Sequence, residues 1–291
     1  MTQFDIELEQ YYCVVPIQRE RTFANFIAKE SEVYKIAQNF WKKNNRSIFV
    51  IKGEAGSGKA HVLHAIGNKV RDANSDANVV FLQCDLANVE QLDKILAKTR
   101  NIDLLLLNKF ESVLEKTKEF QKKIAQLLDL LFKGHNKPIV IASSLRITSM
   151  QSELDTELWD ILGNRASKEI STPSDDDRKN FLQEMIRKEN IFITITAENK
   201  FVEGTKNEKA DALTGMVNDL IWMVNSGEEI DIEHIEKILE NHKRNKVLFN
   251  TIKFLNKNLK YTFDYFPIHE ESEYKYVLNI AKNINNAEPG L

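Results

Sequence analysis

The chain has 291 residues, of which 42% are hydrophobic and 29% charged, and its formal net charge is -3 at pH 7. This length suits one large domain or two smaller ones, and the slightly acidic balance argues against a surface that coats nucleic acid as a whole. Two cysteines, Cys13 and Cys84, exclude a disulfide scaffold and fit a reducing compartment. No apolar run reaches the roughly 20 residues that span a bilayer, and the acidic first residues lack a signal-peptide pattern, so we expect a cytoplasmic protein.

Helix and strand patterns alternate from the helix SEVYKIAQNFWKK, which Ser31 would cap, to the strand PIVIASS. Between them lie the strands SIFVIKG, NVVFLQC and DLLLLN and the helices GKAHVLHAIGNKV, VEQLDKILAKT and LEKTKEFQKKIAQLLDLLFKG, the last closed by Gly134. Unbroken apolar strands separated by helices indicate a parallel sheet that is covered by helices on both faces. We therefore predict a doubly wound α/β core over residues 21–173.

Beyond Pro173 the pattern is helical. The stretch SDDDRKNFLQEMIRKEN opens with a serine and acidic residues, which favour a helix start. ADALTGMVNDLIWMVNSG and DIEHIEKILENHKR predict further helices, and two more are expected around YTFDYFPIHEE. The predicted parts of the chain are an N-terminal arm at 1–20, the α/β core at 21–173, a small all-α domain at 174–243 and a helical C-terminal extension at 244–291.

One short motif carries the functional signal of the core. The sequence GEAGSGK fits the G-x-x-x-x-G-K pattern, directly after a predicted strand and at the start of a predicted helix. Its glycines let backbone N–H groups point inward at a phosphate, and the helix N-terminus adds partial positive charge. A glycine-rich turn kept only for packing is the alternative, but the lysine and the strand–helix context favour nucleotide binding. The candidate binding residues are Gly53, Glu54, Ala55, Gly56, Ser57, Gly58, Lys59, Ala60 and His61.

Ala60 departs from the usual motif at the position that follows the lysine. A serine or threonine hydroxyl there ligates magnesium, and alanine cannot, so the metal loses an inner ligand that water would have to replace. Because the backbone amides and Lys59 supply most of the contacts to the phosphates, we expect this change to affect nucleotide binding less than hydrolysis.

Together with TFANFI at 22–27, the stretch GEAGSGKAHVLHAIGNKV resembles the AAA+ proteins of the DnaA family, which comprise the bacterial chromosome replication initiator and its shorter regulatory relative Hda. The resemblance covers residues 15–243 and extends through IDLLLLNKF, KPIVIASS and ADALTGMVNDLIWMV. It implies a P-loop AAA+ core whose all-α domain is a lid, with ADP or ATP as the cofactor and a role in DNA replication.

The acidic pair of that family is missing. The resemblance implies two acidic residues after the strand DLLLL, which position magnesium and the attacking water, but Asn108 and Lys109 stand there. The ammonium group of Lys109 would repel a metal. Neither Asp103 nor Glu111 replaces the pair without a register shift.

Two further positions are changed. Ser144 stands at the polar sensor, where Asn or Asp is usual, and Asp211 aligns with the lid arginine that touches the γ-phosphate. Together with Ala60, these losses predict a pseudo-ATPase for which we assign no catalytic residue and no metal ligand. They weigh against magnesium, and they favour ADP over ATP because the missing contacts are those to the γ-phosphate.

Two segments are candidates for contacts with other proteins. Arg165 in LGNRASKEI lies near the family's arginine finger, which acts in trans on a DnaA-type initiator; an ordinary surface arginine is the alternative. Hda-like proteins begin with a peptide that docks on the DNA-polymerase sliding clamp, and the first residues here match its alternating pattern. A chance match or an ordinary edge strand is the alternative for these residues, Gln3, Phe4, Ile6 and Leu8.

The C-terminal extension shows no helix-turn-helix motif, so we expect no sequence-specific DNA binding. Its segment HKRNKVLFNTIKFLNKNLKYTF interleaves lysines with aromatic residues, which fits weak nonspecific contact with nucleic acid. A helix that buries its apolar residues while its lysines face water is the preferred alternative.

Three functional hypotheses remain from the sequence. The leading one is a regulator of replication initiation, a degenerate DnaA/Hda-like module that contacts the initiator and the clamp. The second is a slow ATPase that works as a replication initiation or helicase-loading factor. The third is a structural partner whose nucleotide pocket stays empty.

Overall fold

The structure is a computed structural model that describes residues 11–40, 47–224 and 227–259. The chain divides into two compact units. One is formed by the residues up to Gln183 together with Lys206–Thr214, and the other by Glu184–Thr205 together with the residues from Gly215 onward. The first unit holds the sheet and the glycine-rich loop.

Five strands form the sheet of the first unit, and all of them run parallel. The apolar strands β1 to β4 are almost wholly buried, as a sheet covered on both faces requires. The spatial order is β2-β3-β4-β1-β5. The strands are β1 (Ile48–Lys52), β2 (Val79–Gln83), β3 (Leu104–Asn108), β4 (Ile139–Ser143) and β5 (Ser167–Glu169).

Helices cover both faces of this sheet, which confirms the predicted α/β core. They are α1 (Glu32–Phe40), α2 (Lys59–Ala73), α3 (Val89–Leu96), α4 (Lys118–Asp129) and α5 (Thr156–Leu162). Helices α1 and α2 share a hydrophobic core with Phe49, whereas α3, α4 and α5 share the opposite core with its neighbour Val50. Successive side chains of each strand enter the two cores in turn, because they point to opposite faces of the sheet.

The ends of two helices follow the sequence signals. At the start of α1, Ser31 Oγ accepts the N–H of Tyr34 at 3.2 Å, which is the predicted cap. At its C-terminal end α4 continues as a π-helical turn, Leu130–Gly134, so Gly134 closes the long helical segment as expected.

Residues 13–15 lie along the outer edge of β2. The N–H of Val15 donates to Phe81 O at 2.9 Å, and the N–H of Gln83 donates to Cys13 O at 2.8 Å. This pairing covers backbone groups that an edge strand would otherwise expose. The described part of the predicted arm therefore packs with the core, and residues 1–10 lie outside the described residues.

The sequence does not predict β5. Its three residues, Ser167–Glu169, are polar and only partly buried, so they lack the apolar run that marks the other strands. Pairing with β1 alone, with Ser167 opposite Val50, places them at the edge of the sheet. At the edge of the sheet, a strand can carry polar side chains because one of its sides has no neighbouring strand.

The first unit extends past the predicted border at residue 173. Helix α6 (Asp175–Lys188) begins there, and α8 (Ala210–Met223) begins in the segment Lys206–Thr214. The buried guanidinium group of Arg178 donates to Pro173 O at 2.6 Å and to Lys206 O at 3.4 Å. It thereby ties the start of α6 to the segment that leads into α8.

The second unit combines helices with a short pair of strands. β6 (Phe192–Ile193) pairs in parallel with β7 (Glu229–Ile230), and α7 (Ile195–Gly204) packs against α9 (Ile232–Leu259). The expectation of an all-α domain is wrong for these two strands, which are too short to show a period. Helix α9 continues unbroken past residue 243, so the predicted border with the C-terminal extension falls inside one helix.

None of the helices in the described ranges is long and apolar enough to cross a membrane.

Candidate nucleotide-binding site

The loop Gly53–His61 connects the end of β1 to the first turn of α2. Gly56 and Gly58 have φ angles of 78° and 94°, a left-handed conformation that glycine adopts without strain. A Cβ at Gly58 would lie 2.8 Å from the ring of Phe26, so the loop has no room for a side chain there. The N–H of Gly53 donates to Ser143 O at 3.1 Å and fastens the loop to the end of β4.

Lys59 folds back over this loop. Its Nζ donates to the carbonyl oxygens of Gly53 at 2.5 Å and of Glu54 at 2.8 Å. Burial lowers the pKa of Lys59, and the nearby carboxylate of Glu111 opposes that shift. An ammonium group held on neutral carbonyls can exchange them for phosphate oxygens, whose negative charge makes a stronger hydrogen bond.

The chemistry of the loop fits phosphate. Among the described residues, Ser57 Oγ is buried and has no hydrogen-bond partner. Such a group costs free energy unless a ligand or water satisfies it, and a phosphate oxygen would do so. The methyl group of Ala60 packs against the core beside the sheet and offers no oxygen to a metal.

The two histidines of α2 hold the segment that precedes α1. His61 Nε2 lies 2.8 Å from Thr22 O, and its ring packs edge-on against Phe26 with 5.5 Å between centroids. His64 Nδ1 accepts the N–H of Gln18 at 3.3 Å, and burial lowers the pKa of His64 to about 4. His61 therefore positions the TFANFI segment beside the loop, and His64 holds the chain at Gln18, before that segment.

A carboxylate rests on the phosphate loop. The N–H of Asp211, in the first turn of α8, donates to Gly56 O at 3.2 Å. The carboxylate oxygens lie 2.3 and 2.4 Å from the position that a Cβ on Gly56 would occupy. The position that the resemblance assigns to a γ-phosphate arginine thus carries a negative charge directly against the loop.

Lys209 is a residue that the sequence analysis missed. Its Nζ pairs with Glu54 Oε2 at 2.8 Å, and this pairing lowers the pKa of Glu54. Lys209 also acts on Lys59, whose pKa it lowers after the larger effect of burial. No sequence motif marks Lys209, because its place depends on how residues 206–214 return to the loop.

Asn108 and Lys109 both turn toward β2. Asn108 Nδ2 donates to Gln83 Oε1 at 3.0 Å, and Lys109 Nζ pairs with Asp85 Oδ2 at 2.6 Å. Strand β2 lies on the side of β3 away from β1. The ammonium group that is expected to repel a metal is thus paired with Asp85 on the β2 side of β3, and the expected repulsion stays a prediction.

The carboxylate of Glu111 lies on the other side of β3, beside the end of β4. Its Oε2 accepts the N–H of Ser144, directly after β4, at 3.0 Å. The sequence predicts that neither Asp103 nor Glu111 replaces the acidic pair. The carboxylate of Asp103 pairs with Lys137 at 2.8 Å before β3 begins. The Glu111 carboxylate instead lies beside the end of β4, after a residue, Lys109, that is left-handed with φ 52°. The expectation that Glu111 does not replace the acidic pair stays a prediction.

Arg165 lies between α5 and β5. Its guanidinium group stacks over the ring of Phe132 at 4.8 Å, and its Nε lies 3.5 Å from Ile161 O. The finger role stays a prediction. The clamp-binding candidates Gln3, Phe4, Ile6 and Leu8 lie outside the described residues.

Within the described ranges, no group of three or more His, Cys, Asp or Glu side chains is arranged to hold a metal ion. A metal at this site would therefore need oxygen ligands from a bound nucleotide as well as from the protein.

A parallel sheet with helices on both faces and a glycine-rich phosphate loop after β1 define a P-loop AAA+ module. The model of the bacterial DnaA ATPase domain matches residues 17–163, about half of the chain. The chain therefore belongs to the bacterial DnaA family of AAA+ proteins.

Individual relatives agree with this assignment. The chromosomal replication initiator protein DnaA of Buchnera aphidicola subsp. Cinara cedri is 25% identical over 261 residues, which cover 84% of this chain and 58% of the relative. The chain thus spans little more than half the length of that relative.

Solved structures show the same fold. Domain III of the replication initiation protein DnaA from Thermotoga maritima has a TM-score of 0.62 at 20% identity, covering 78% of this chain and 99% of that one. A replication initiator DnaA bound to AMPPCP and single-stranded DNA has a TM-score of 0.62 at 20% identity, covering 91% of this chain and 82% of that one.

Proposed function

We propose that this protein is a nucleotide-binding pseudo-ATPase that favours ADP and regulates the initiation of DNA replication through protein–protein contacts. The observation that carries the proposal is the pairing of an intact phosphate loop with a carboxylate, that of Asp211, placed directly on Gly56. The loop supports binding, and the carboxylate opposes the most highly charged nucleotide.

Nucleotide binding is supported by three features of the loop. Gly56 and Gly58 have the conformation that lets backbone N–H groups face a phosphate, and Lys59 supplies a cation. In addition, Ser57 Oγ is buried and has no hydrogen-bond partner within the described part of the chain. A solved DnaA with the same fold is bound to AMPPCP, an ATP analogue. ADP and ATP are therefore the ligands we propose.

The preference for ADP follows from charge. The carboxylate of Asp211 is repelled by each phosphate charge that enters the loop, and repulsion grows with the number of charges. ATP carries one phosphate more than ADP, so it suffers more from Asp211. The ammonium group of Lys209 offsets part of this repulsion, but it is already paired with Glu54 Oε2 at 2.8 Å.

Inefficient hydrolysis follows from missing groups. Ala60 offers no hydroxyl to magnesium, and Asn108 and Lys109 replace the acidic pair. Removal of one electrostatic stabiliser commonly costs about 10²- to 10³-fold in rate, so several losses together leave little turnover.

The proposed partners are a DnaA-type initiator and the DNA-polymerase sliding clamp. Arg165 would act in trans on nucleotide held by the initiator, and the segment Gln3–Leu8 would bind the clamp. We propose no sequence-specific DNA binding and only weak nonspecific contact with nucleic acid, in a cytoplasmic setting. Deletion of residues 1–8 tests the clamp contact, and unchanged affinity for the clamp would remove it.

A second candidate function is a slow ATPase that acts in replication initiation or helicase loading. One observation favours it: Glu111 places a carboxylate beside Ser144, on the side of β3 that faces the loop strand. This candidate requires measurable turnover that is lost in Lys59→Ala.

Calorimetric titration with ADP and with ATP tests the proposal. We expect both nucleotides to bind, ADP more tightly, and Lys59→Ala to weaken both because a charge-assisted contact is lost. Absence of binding by either nucleotide would contradict the proposal and favour a structural partner with an empty pocket.

A further inference from the structure

Glu111 lies in a short helix that follows β3 after one left-handed residue. Asn108 ends the strand, Lys109 adopts a left-handed conformation with φ 52°, and a 3-10 helix, Phe110–Glu115, follows at once. Phe110 is fully buried and anchors this helix in the core. The left-handed residue is what sends Lys109 and Glu111 to opposite sides of β3.

The carboxylate of Glu111 reaches the strand next to the phosphate loop. Its Oε2 accepts the N–H of Ser144 at 3.0 Å. The preceding residue, Ser143, ends β4 and accepts the N–H of Gly53, the first loop residue, at 3.1 Å. Glu111 is thus connected to the start of the loop through two successive residues of one strand end.

Charge links the same groups. Burial lowers the pKa of Lys59, and the charge of Glu111 is the largest effect that opposes this shift. Glu111 is only partly buried, so its side chain is not closed off from solvent as a whole. Meanwhile Lys109 is held by Asp85 on the β2 side and does not neutralise Glu111.

We propose that Glu111 is the carboxylate that receives the divalent cation of a magnesium nucleotide, in place of the hydroxyl missing at Ala60 and the acidic pair missing at Asn108 and Lys109. The inference rests on the proposed nucleotide binding and deepens it. Magnesium is commonly held by one or two carboxylates together with phosphate oxygens and water, so a single side chain with a bound nucleotide forms an adequate site.

This assignment changes what the site recognises. Without Glu111, the proposed cation position would have no carboxylate from the protein, and phosphate oxygens and water would have to hold the magnesium. With Glu111 in place, the charge of the cation offsets both the carboxylate and the phosphates, so the magnesium complex becomes the preferred ligand. One carboxylate holds the cation but leaves the attacking water without the second acidic residue of the family.

Calorimetric titration of ADP in excess magnesium and in EDTA tests the proposal on three proteins: the unmodified chain, Glu111→Gln and Glu115→Gln. The glutamine at 111 can still accept the N–H of Ser144, so the local fold is kept. Glu115 is an exposed residue of the same 3-10 helix and provides a matched change of charge.

In magnesium we expect Glu111→Gln to weaken ADP at least about tenfold, as loss of a group that supports a metal site commonly does. In EDTA the same change should leave affinity equal or raise it, because a negative charge near the phosphates is removed. Glu115→Gln should behave like the unmodified chain in both conditions. If magnesium has the same effect on affinity in Glu111→Gln as in the unmodified chain, the assignment is overturned while nucleotide binding stands.

A second measurement needs no variant. Ferrous iron replaces magnesium in the presence of ADP, ascorbate and peroxide, and the bound metal then cleaves the nearest backbone of the unmodified chain. We expect ADP-dependent cleavage next to Glu111. Cleavage elsewhere only, with ADP bound, would overturn the assignment; absence of ADP binding in any condition would instead contradict the proposed function on which it rests.

Discussion

The main-chain N–H of Asp211 donates a hydrogen bond to the carbonyl oxygen of Gly56 at 3.2 Å, and the carboxylate of Asp211 lies against the same glycine. A protein built to hold phosphate therefore has a negative side chain on its phosphate loop. Neutralising that side chain should favour nucleotides in proportion to their charge.

We predict that Asp211→Asn raises the affinity for ATP by about tenfold, about 1.4 kcal/mol, and the affinity for ADP by less. The isosteric amide removes the charge and leaves the backbone hydrogen bond to Gly56. The control is Asp219→Asn, an exposed residue further along α8. Titration calorimetry measures both nucleotides, and an equal gain for ADP and ATP would show that Asp211 does not select between them.

A side chain at Gly58 should disrupt the loop. Gly58→Ala imposes a φ of 94° on alanine and brings its Cβ within 2.8 Å of Phe26. We predict a loss of about 1–3 kcal/mol in the free energy of unfolding, together with weaker nucleotide binding. Gly215→Ala is the control, because a Cβ there meets nothing within 4 Å and alanine favours a helix. Denaturant unfolding measures the free energy of unfolding of both variants. Equal values would contradict the predicted strain at residue 58.

Stability should fall in mild acid because of His64. Its Nδ1 accepts the N–H of Gln18, and burial lowers its pKa from 6.5 to about 4, so the unfolded chain binds the proton more readily. The contribution of neutral His64 to the free energy of unfolding is fully present above about pH 6.5 and is lost as the pH falls to about 4. Its upper limit is on the order of 3 kcal/mol. His64→Gln should flatten the pH dependence of the unfolding free energy across this window. An unchanged slope in that variant would assign the acid sensitivity to other groups.

Arg165 should act on a partner and leave nucleotide binding in its own chain unchanged. It stacks on Phe132 at 4.8 Å after α5. We predict that Arg165→Ala reduces the stimulation of ATP hydrolysis on a DnaA-type initiator by about 10³-fold, the lower end of what an arginine finger contributes. Arg100→Ala, at an exposed position, should have no such effect. Full stimulation by Arg165→Ala would mark Arg165 as an ordinary surface residue.

The sheet and the phosphate loop could be predicted because both leave local signals. Strands β1 to β4 are buried apolar runs, and the loop is a motif whose glycines serve the geometry that the structure shows at Gly56 and Gly58. Strand β5 left no such signal, since an edge strand of three polar residues needs none.

The charges around the loop could not be predicted from position along the chain. Lys109 and Glu111 are two residues apart, yet a left-handed turn sends one to Asp85 and the other to Ser144. Lys209 meets Glu54 only because residues 206–214 return to the core. Such placements follow from tertiary structure, and an alignment of motif positions misses them.

The central claim is that this protein binds nucleotide without hydrolysing it efficiently. Its most direct test is the release of phosphate from saturating magnesium–ATP by the purified chain, with Lys59→Ala as the blank. We predict that the two proteins are indistinguishable even where calorimetry shows bound ATP. Turnover on the order of 1 per second that disappears in Lys59→Ala would contradict the account and establish an ATPase.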